Sequence, residues 1–178
     1  MSAIVIYKTK YGSTKDYAEW IAEELGCESV DAKNVKIDDI IGYDTIIYGG
    51  GLYAEVINGV SLITRNIERL RDKKIVIFTT GITPPDVREY YDDEVIKKNF
   101  KNGVSENVKI FNFLGKMIQS ELTPVHYAAI VSLKKLMSAK KNPSDMVKLL
   151  IELCSADGDF SDRKYIKDLI KYIKEYEK

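Results

Sequence analysis

The sequence predicts an α/β fold: a doubly wound five-stranded parallel sheet with an added helical segment before the C-terminal helix. Three observations carry that prediction. Short apolar runs recur at Ala3 to Tyr7, Asp44 to Tyr48, Lys74 to Phe78 and Val108 to Phe113. The first three are continuously apolar rather than alternating, as strands are when both faces of a parallel sheet are covered. Between the runs lie stretches with apolar residues at helical spacing, and strand alternating with helix is the pattern of layered α/β domains with right-handed crossovers.

The elements follow in chain order. After the first run, Ala18, Ile21, Ala22 and Leu25 stand at i, i+3, i+4 and i+7, which gives a helix one face to bury. Cys27 to Ala32 is a weaker apolar run and predicts an edge strand. Val60, Ile63, Ile67 and Leu70 form a second helical stripe between the Asp44 and Lys74 strands. The segment 114–155 holds two or three helical patterns and no evident strand. Within it, Thr123-Pro124 reads as an N-cap followed by proline at the first helical position, and Asn142-Pro143-Ser144 marks the next boundary. Ile166, Leu169, Ile170 and Ile173 predict the closing helix.

Length and composition bound the function. A chain of 178 residues can bury one full core, and no linker or repeat divides it, so a single domain over 1–178 is expected. Lys plus Arg equal Asp plus Glu at 27 each, which provides no overall field for nucleic acid and argues against that partner. Cys27 and Cys154 are far apart, there is no CxxC, and His126 is the lone histidine, so no metal set is expected. No leader pattern precedes the first strand, and a reduced, cytoplasmic protein is the expectation. No apolar run reaches the roughly 18 to 20 residues of a membrane span, since Lys134 and Lys135 break the stretch 125–137.

In a doubly wound sheet, ligands sit beyond the carboxyl ends of the strands where the winding reverses. Three loops are expected there: 9–14, 49–59 and 79–85. The first contains Thr9, Lys10, Tyr11, Gly12, Ser13 and Thr14. A phosphate at a helix N-terminus is held by free backbone N–H groups and the positive end of the helix dipole. Gly12 permits an unusual turn, and Thr9, Ser13 and Thr14 supply hydroxyls. A plain alternative is that Ser13 only caps the helix, as the first residue of a Ser-x-x-Asp pattern ending at Asp16. There is no GxxxxGK[ST] motif, which argues against a nucleoside triphosphatase of the P-loop kind. Gly49 to Ala54 matches the G-x-G-x-x-A dinucleotide fingerprint but follows the wrong strand for it.

The opening strand, Thr-x-Tyr-Gly-Ser-Thr and helix resemble the phosphate loop of flavodoxins, which bind flavin mononucleotide (FMN). "YGGGLYAEVING" resembles the segment flanking one side of the flavin ring in that family, and "FTTGITPP" resembles the second ring-flanking loop. The resemblance implies a flavodoxin-like fold, with FMN bound by Thr9 to Thr14, by Gly50, Gly51, Leu52, Tyr53 and Ala54, and by Thr79, Thr80, Gly81 and Ile82. Tyr53 is suited to stack on a ring face. Glu55 stands where relatives often carry glycine. Near the ring its charge would disfavour reduced anionic flavin and lower the potential.

Carrier and enzyme both use this fold. Carrier flavodoxins are generally acidic, whereas this chain is neutral. Segment 116–148 carries six lysines against Glu121 and Asp145, a local charge of +4. Val125, Ala129, Ile130, Leu133, Leu136 and Met137 give it an apolar face that can line a substrate cleft, make peripheral contact with anionic lipid, or pack on the sheet. "KIFNFLG", "SLKKLMSAKK" and the C-terminal helix are similar to the menaquinone-dependent protoporphyrinogen dehydrogenase branch. That likeness implies an oxidoreductase passing electrons from a small-molecule reductant through FMN to a quinone or redox-protein acceptor. A soluble carrier and a non-catalytic binding module are the alternatives, and monomer and dimer are equally compatible with the sequence. No catalytic acid or base stands out: His126 reads as a cap or surface residue rather than a proton relay, and Asp38-Asp39 and Asp92-Asp93 read as solvated pairs.

Overall fold

The computed structural model describes residues 2–175. In chain order its main elements are β1 (Ala3–Lys8), α1 (Ser13–Leu25), β2 (Glu28–Asp31), α2 (Ile37–Ile40), β3 (Thr45–Tyr53), β4 (Val56–Ile57), α3 (Ser61–Thr64) and β5 (Lys74–Gly81). A π-helical turn (Tyr90–Ile96) then leads into α4 (Lys97–Asn99), β6 (Val108–Leu114), β7 (Lys116–Met117), α5 (Pro124–Ser138), α6 (Asp145–Leu153), β8 (Gly158–Asp159) and α7 (Lys167–Glu175). Five strands form a parallel sheet in the order β2-β1-β3-β5-β6, with β4 added antiparallel to β3. The expected edge strand is therefore present as β2, and the winding reverses between β1 and β3.

Continuous apolarity in the strands follows from coverage of both faces. Ile4, Ile6, Ile46, Tyr48, Ile75 and Ile77 point to one face, while Val5, Ile47, Val76 and Phe78 point to the other. α1 and α7 cover the second face with Tyr17, Ala18, Ile21, Leu169, Ile170 and Ile173, all of them buried. Each large side chain of this kind contributes about 1.5–3 kcal/mol through apolar burial. Tyr17 adds polar ties, donating from its hydroxyl to the Leu114 carbonyl at 2.7 Å and accepting from the Asp162 N–H at 3.0 Å. Burial pushes its phenol up to about 12, so it stays a donor at neutral pH.

Four details differ from the sequence reading. First, β3 and β5 run on to Tyr53 and Gly81, so Gly49 to Gly51 and Thr79 to Gly81 are strand residues, not loop. The glycines serve packing: a Cβ on Gly49 would lie 2.1 Å from Phe78 Cζ, and one on Gly50 would lie 2.6 Å from Ile57 Cγ2. Second, the stripe from Val60 to Leu70 is not one helix but α3 and a separate 3-10 turn over Ile67–Leu70. Asn66 interrupts it by donating from its amide to the Leu62 carbonyl at 2.9 Å, a local bond that competes with the helical ladder. Third, segment 114–155 does contain a strand, β7, which pairs with β8. Two residues are too short for periodicity to register. Fourth, the apolar positions of α5 do not share one face: Met137 is buried, whereas Val125 and Leu136 are 76% and 69% exposed.

Candidate functional site

The carboxyl ends of β1, β3, β5 and β6 open into a cavity of about 340 Å³, roofed by α5 and α6. Its floor begins at the first loop. Gly12 is the N-cap of α1 at φ 98°, a left-handed value that glycine tolerates and other residues rarely adopt. Its N–H donates to the Thr9 hydroxyl at 2.9 Å, which closes the turn, and its carbonyl accepts from the amides of Lys15 and Asp16. No side chain caps the helix, so Ser13 is a first-turn residue and the capping-box reading is set aside. The Thr14 hydroxyl shares a buried 2.8 Å hydrogen bond with that of Thr80, tying the first loop to the end of β5.

The walls are the ends of β3 and β5. Gly51, Leu52, Tyr53 and Ala54 stand on one side, and Thr80, Gly81 and Ile82 on the other. Tyr53 folds back over Gly51, where a Cβ would lie 3.0 Å from its hydroxyl. Burial, then the neighbouring Tyr11, pushes the Tyr53 phenol up to about 12. Ala54 and Glu55, at φ 47° and 62°, make the two-residue turn between β3 and β4 with two consecutive left-handed residues. Such a turn favours Asn-Gly, so Ala-Glu holds it under strain. Lys98 and Asn99 secure it: Lys98 Nζ donates to the Ala54 carbonyl at 2.7 Å and pairs with the Glu55 carboxylate at 3.0 Å, and Asn99 donates to the Glu55 carbonyl at 2.7 Å. Glu55 reaches the cavity wall, but with its charge matched by Lys98.

Of the residues expected from the sequence, Thr9, Tyr11, Ser13, Thr14, Gly51 to Ala54 and Thr80 to Ile82 line this one cavity. Four do not. Gly50 packs against Ile57 and Asn58, and the Thr79 hydroxyl donates to the Asn112 side chain at 2.7 Å. Lys10 turns its ammonium to His126, while Gly12 shapes the turn from beneath.

Ala129, Ile130 and Leu133 of α5, read in the sequence as part of an apolar face able to line a cleft, do line the cavity and roof it together with Leu150 and Leu153 of α6. Other residues were not singled out for the site: Lys116 and Met117 join the wall through β7. His126, read as a cap or surface residue, also faces the cavity. Its backbone N–H does go to the Thr123 cap at 3.4 Å, but its Nδ1 lies 2.6 Å from the Tyr11 hydroxyl and its Nε2 lies 3.3 Å from Lys10 Nζ. Sequence held no signal for this, because the partners stand more than a hundred positions apart.

This network assigns its own protons. Protonated Lys10 donates to Nε2, so Nδ1 carries the hydrogen and donates to the Tyr11 oxygen. The Tyr11 O–H is then left to donate into the cavity. A positive imidazole would face the Lys10 ammonium, and burial first and Lys10 second hold the His126 pKa below its ordinary value. The sign follows from linkage: the unfolded chain takes the proton more readily, so this contribution is complete above pH of about 6.5 and declines below it. As the sequence has one histidine, its proton NMR signals should titrate with a midpoint below about 6.5. A midpoint at or above that value would contradict the network.

The family model described as flavodoxin domain matches residues 4–146. Solved structures similar to this chain include a WrbA-like flavodoxin from Agrobacterium tumefaciens, at 19% identity over 47% of this chain and 62% of that one, with TM-score 0.40. This chain thus spans less than two thirds of that relative. Two-electron reduced Megasphaera elsdenii flavodoxin is similar at 16% identity over 62% of this chain and 82% of that one, with TM-score 0.41. Oxidised flavodoxin 2 from Bacillus cereus is similar at 16% identity over 63% and 84%, with TM-score 0.35. No curated protein sequence gives a match.

Proposed function

The chain belongs to the flavodoxin family, and from that premise we propose that it binds FMN and passes electrons from a reduced substrate to a quinone or similar acceptor. The donor set suits the cofactor. At one end, the turn at Gly12 aims the Ser13 and Thr14 amides and the Ser13 hydroxyl at a phosphate. At the other, Leu52, Tyr53 and Ile82 border a slot for a flat, partly apolar ring, with backbone and the Thr80 hydroxyl within it. FMN, when bound, supplies the redox chemistry itself. The chain's part is to orient the ring, exclude water and offer the Tyr11 hydroxyl as a donor fixed by His126.

The observation that favours an oxidoreductase over a plain carrier is the roof. A carrier needs little more than an accessible ring edge, whereas α5 and α6 extend the cavity with Ala129, Ile130, Leu133, Leu150 and Leu153. An apolar chamber of this kind suits a second, lipophilic molecule beside the ring, as a protoporphyrinogen dehydrogenase-like reaction with a quinone requires. Outside the chamber, exposed Val125 and Leu136 lie on the helix that carries Lys134 and Lys135, a composition suited to peripheral contact with anionic lipid.

A two-stage experiment tests this reading. FMN is added and its absorption spectrum followed; the complex is then reduced and mixed with a quinone analogue, dissolved or in anionic vesicles. Rapid reoxidation by the quinone is expected. Binding without quinone reactivity would favour the soluble carrier, and no binding would remove the redox assignment.

A further inference from the structure

We propose that Lys116 is the charge partner of the ligand's terminal phosphate and makes the site selective for a phosphorylated flavin. The inference rests on the FMN reading and adds a residue from outside the three strand-end segments. Lys116 Nζ lies 3.0 Å, and its Cε 3.2 Å, from where a Cβ on Gly12 would be. The lysine head therefore occupies the space that glycine leaves at the N-terminus of α1. Among the described residues the Lys116 ammonium has neither an ion pair nor a hydrogen bond. The lysines that flank Gly12 in sequence are committed elsewhere, Lys10 to His126 and Lys15 to Glu19 at 3.5 Å.

A cation at the positive end of a helix is electrostatically unfavourable unless an anion lies between them. Beside it sits a second unmet group: Ser13 is 7% exposed and lines the cavity, and its hydroxyl has no hydrogen-bond partner among the described residues. A phosphate placed there accepts from the Ser13 and Thr14 amides, which the Gly12 carbonyl leaves free, and from the Ser13 hydroxyl, and neutralises the lysine.

The backbone delivers Lys116 to this point. A Cβ on Gly115 would lie 2.8 Å from Ser13 Oγ, so glycine lets the chain pass directly against Ser13. The Gly115 N–H donates to the Gly81 carbonyl at 2.7 Å, its carbonyl accepts from the Phe160 N–H at 3.2 Å, and the Lys116 backbone then stands in register with Asp159 across the β7–β8 ladder. The backbone that carries Lys116 is thus held by a short ladder rather than left as a free loop.

The test compares FMN with riboflavin, which lacks the phosphate, by fluorescence titration of the full chain at low and high salt. The wild-type protein should prefer FMN. Lys116→Gln should weaken FMN by on the order of ten- to a hundredfold, as expected for loss of a charge-assisted hydrogen bond, and leave riboflavin nearly unchanged. It should also flatten the salt dependence of FMN binding, whereas Lys116→Arg and Lys15→Gln should keep most of the preference. A wild-type protein that binds neither flavin overturns the FMN reading beneath the proposal. A wild-type protein that binds FMN no better than riboflavin, or a Lys116→Gln variant with an unchanged preference, overturns the proposal itself.

Discussion

A chain carrying Gly49→Ala is expected to be the least stable of the single-methyl variants near the site. Gly49 lies in β3, between β1 and β5, and is paired with Phe78. The added Cβ would stand 2.1 Å from Phe78 Cζ and 2.6 Å from both Cε atoms, far inside contact distance. Phe78 cannot swing aside, because it is fully buried and packed against Phe113 at 5.6 Å and Tyr17 at 6.5 Å between ring centroids. Overpacking of this kind costs roughly 1–3 kcal/mol and sometimes more. In a chain of this size that lowers Tm by about 2–4 °C per kcal/mol. Thermal melts followed by circular dichroism check it. Phe78→Leu in the Gly49→Ala background should recover part of the loss, since the two side chains compete for one volume. An unshifted melt for Gly49→Ala would contradict the packing described.

Gly12→Ala should act on binding more than on folding. Alanine at φ 98° is strained by about 1–2 kcal/mol, and its Cβ meets only the far end of Lys116, a side chain that can move. The fold has room to respond by turning the first loop and displacing the lysine. Either response spoils the aim of the amides at the start of α1, and FMN affinity should fall by roughly ten- to a hundredfold. Retained affinity in a folded variant would show that the turn does not hold the phosphate.

Much of this architecture was legible from local pattern alone. Runs such as Ile4-Val5-Ile6 and Ile75-Val76-Ile77 have no polar face, so they demand cover on both sides, and α1 and α7 on one face answer that demand. Thr123-Pro124 and Ser144 mark helix starts through groups that act within one turn: the Thr123 and Ser144 hydroxyls accept from the amides of His126 and Val147. Where strands end was less legible. Gly49-Gly50-Gly51 reads as loop, yet each glycine is set by a neighbour's volume that no local pattern records.

The site divides the same way. Thr9 to Thr14 announced themselves because turn, hydroxyls and helix start are contiguous. The apolar positions of α5 were legible only as a set that could line a cleft, because helical spacing gives a stripe without saying which side faces the sheet. It took the seating of α5 to separate Ile130 and Leu133, which line the cavity although Leu133 is 46% exposed, from Val125 and Leu136, which do not line it. Lys116 and His126 were hidden for another reason: each gains its role from a contact across more than a hundred residues of sequence.

The central claim is that one crevice, bounded by the first turn of α1 and the ends of β3 and β5, holds FMN. Ultrafiltration of the purified full chain with excess FMN, followed by counting the flavin retained, tests it most directly. The account predicts one FMN per chain and a sharp drop in retention for Gly12→Ala. Flavin passing freely through the filter in the presence of folded wild-type protein would contradict it.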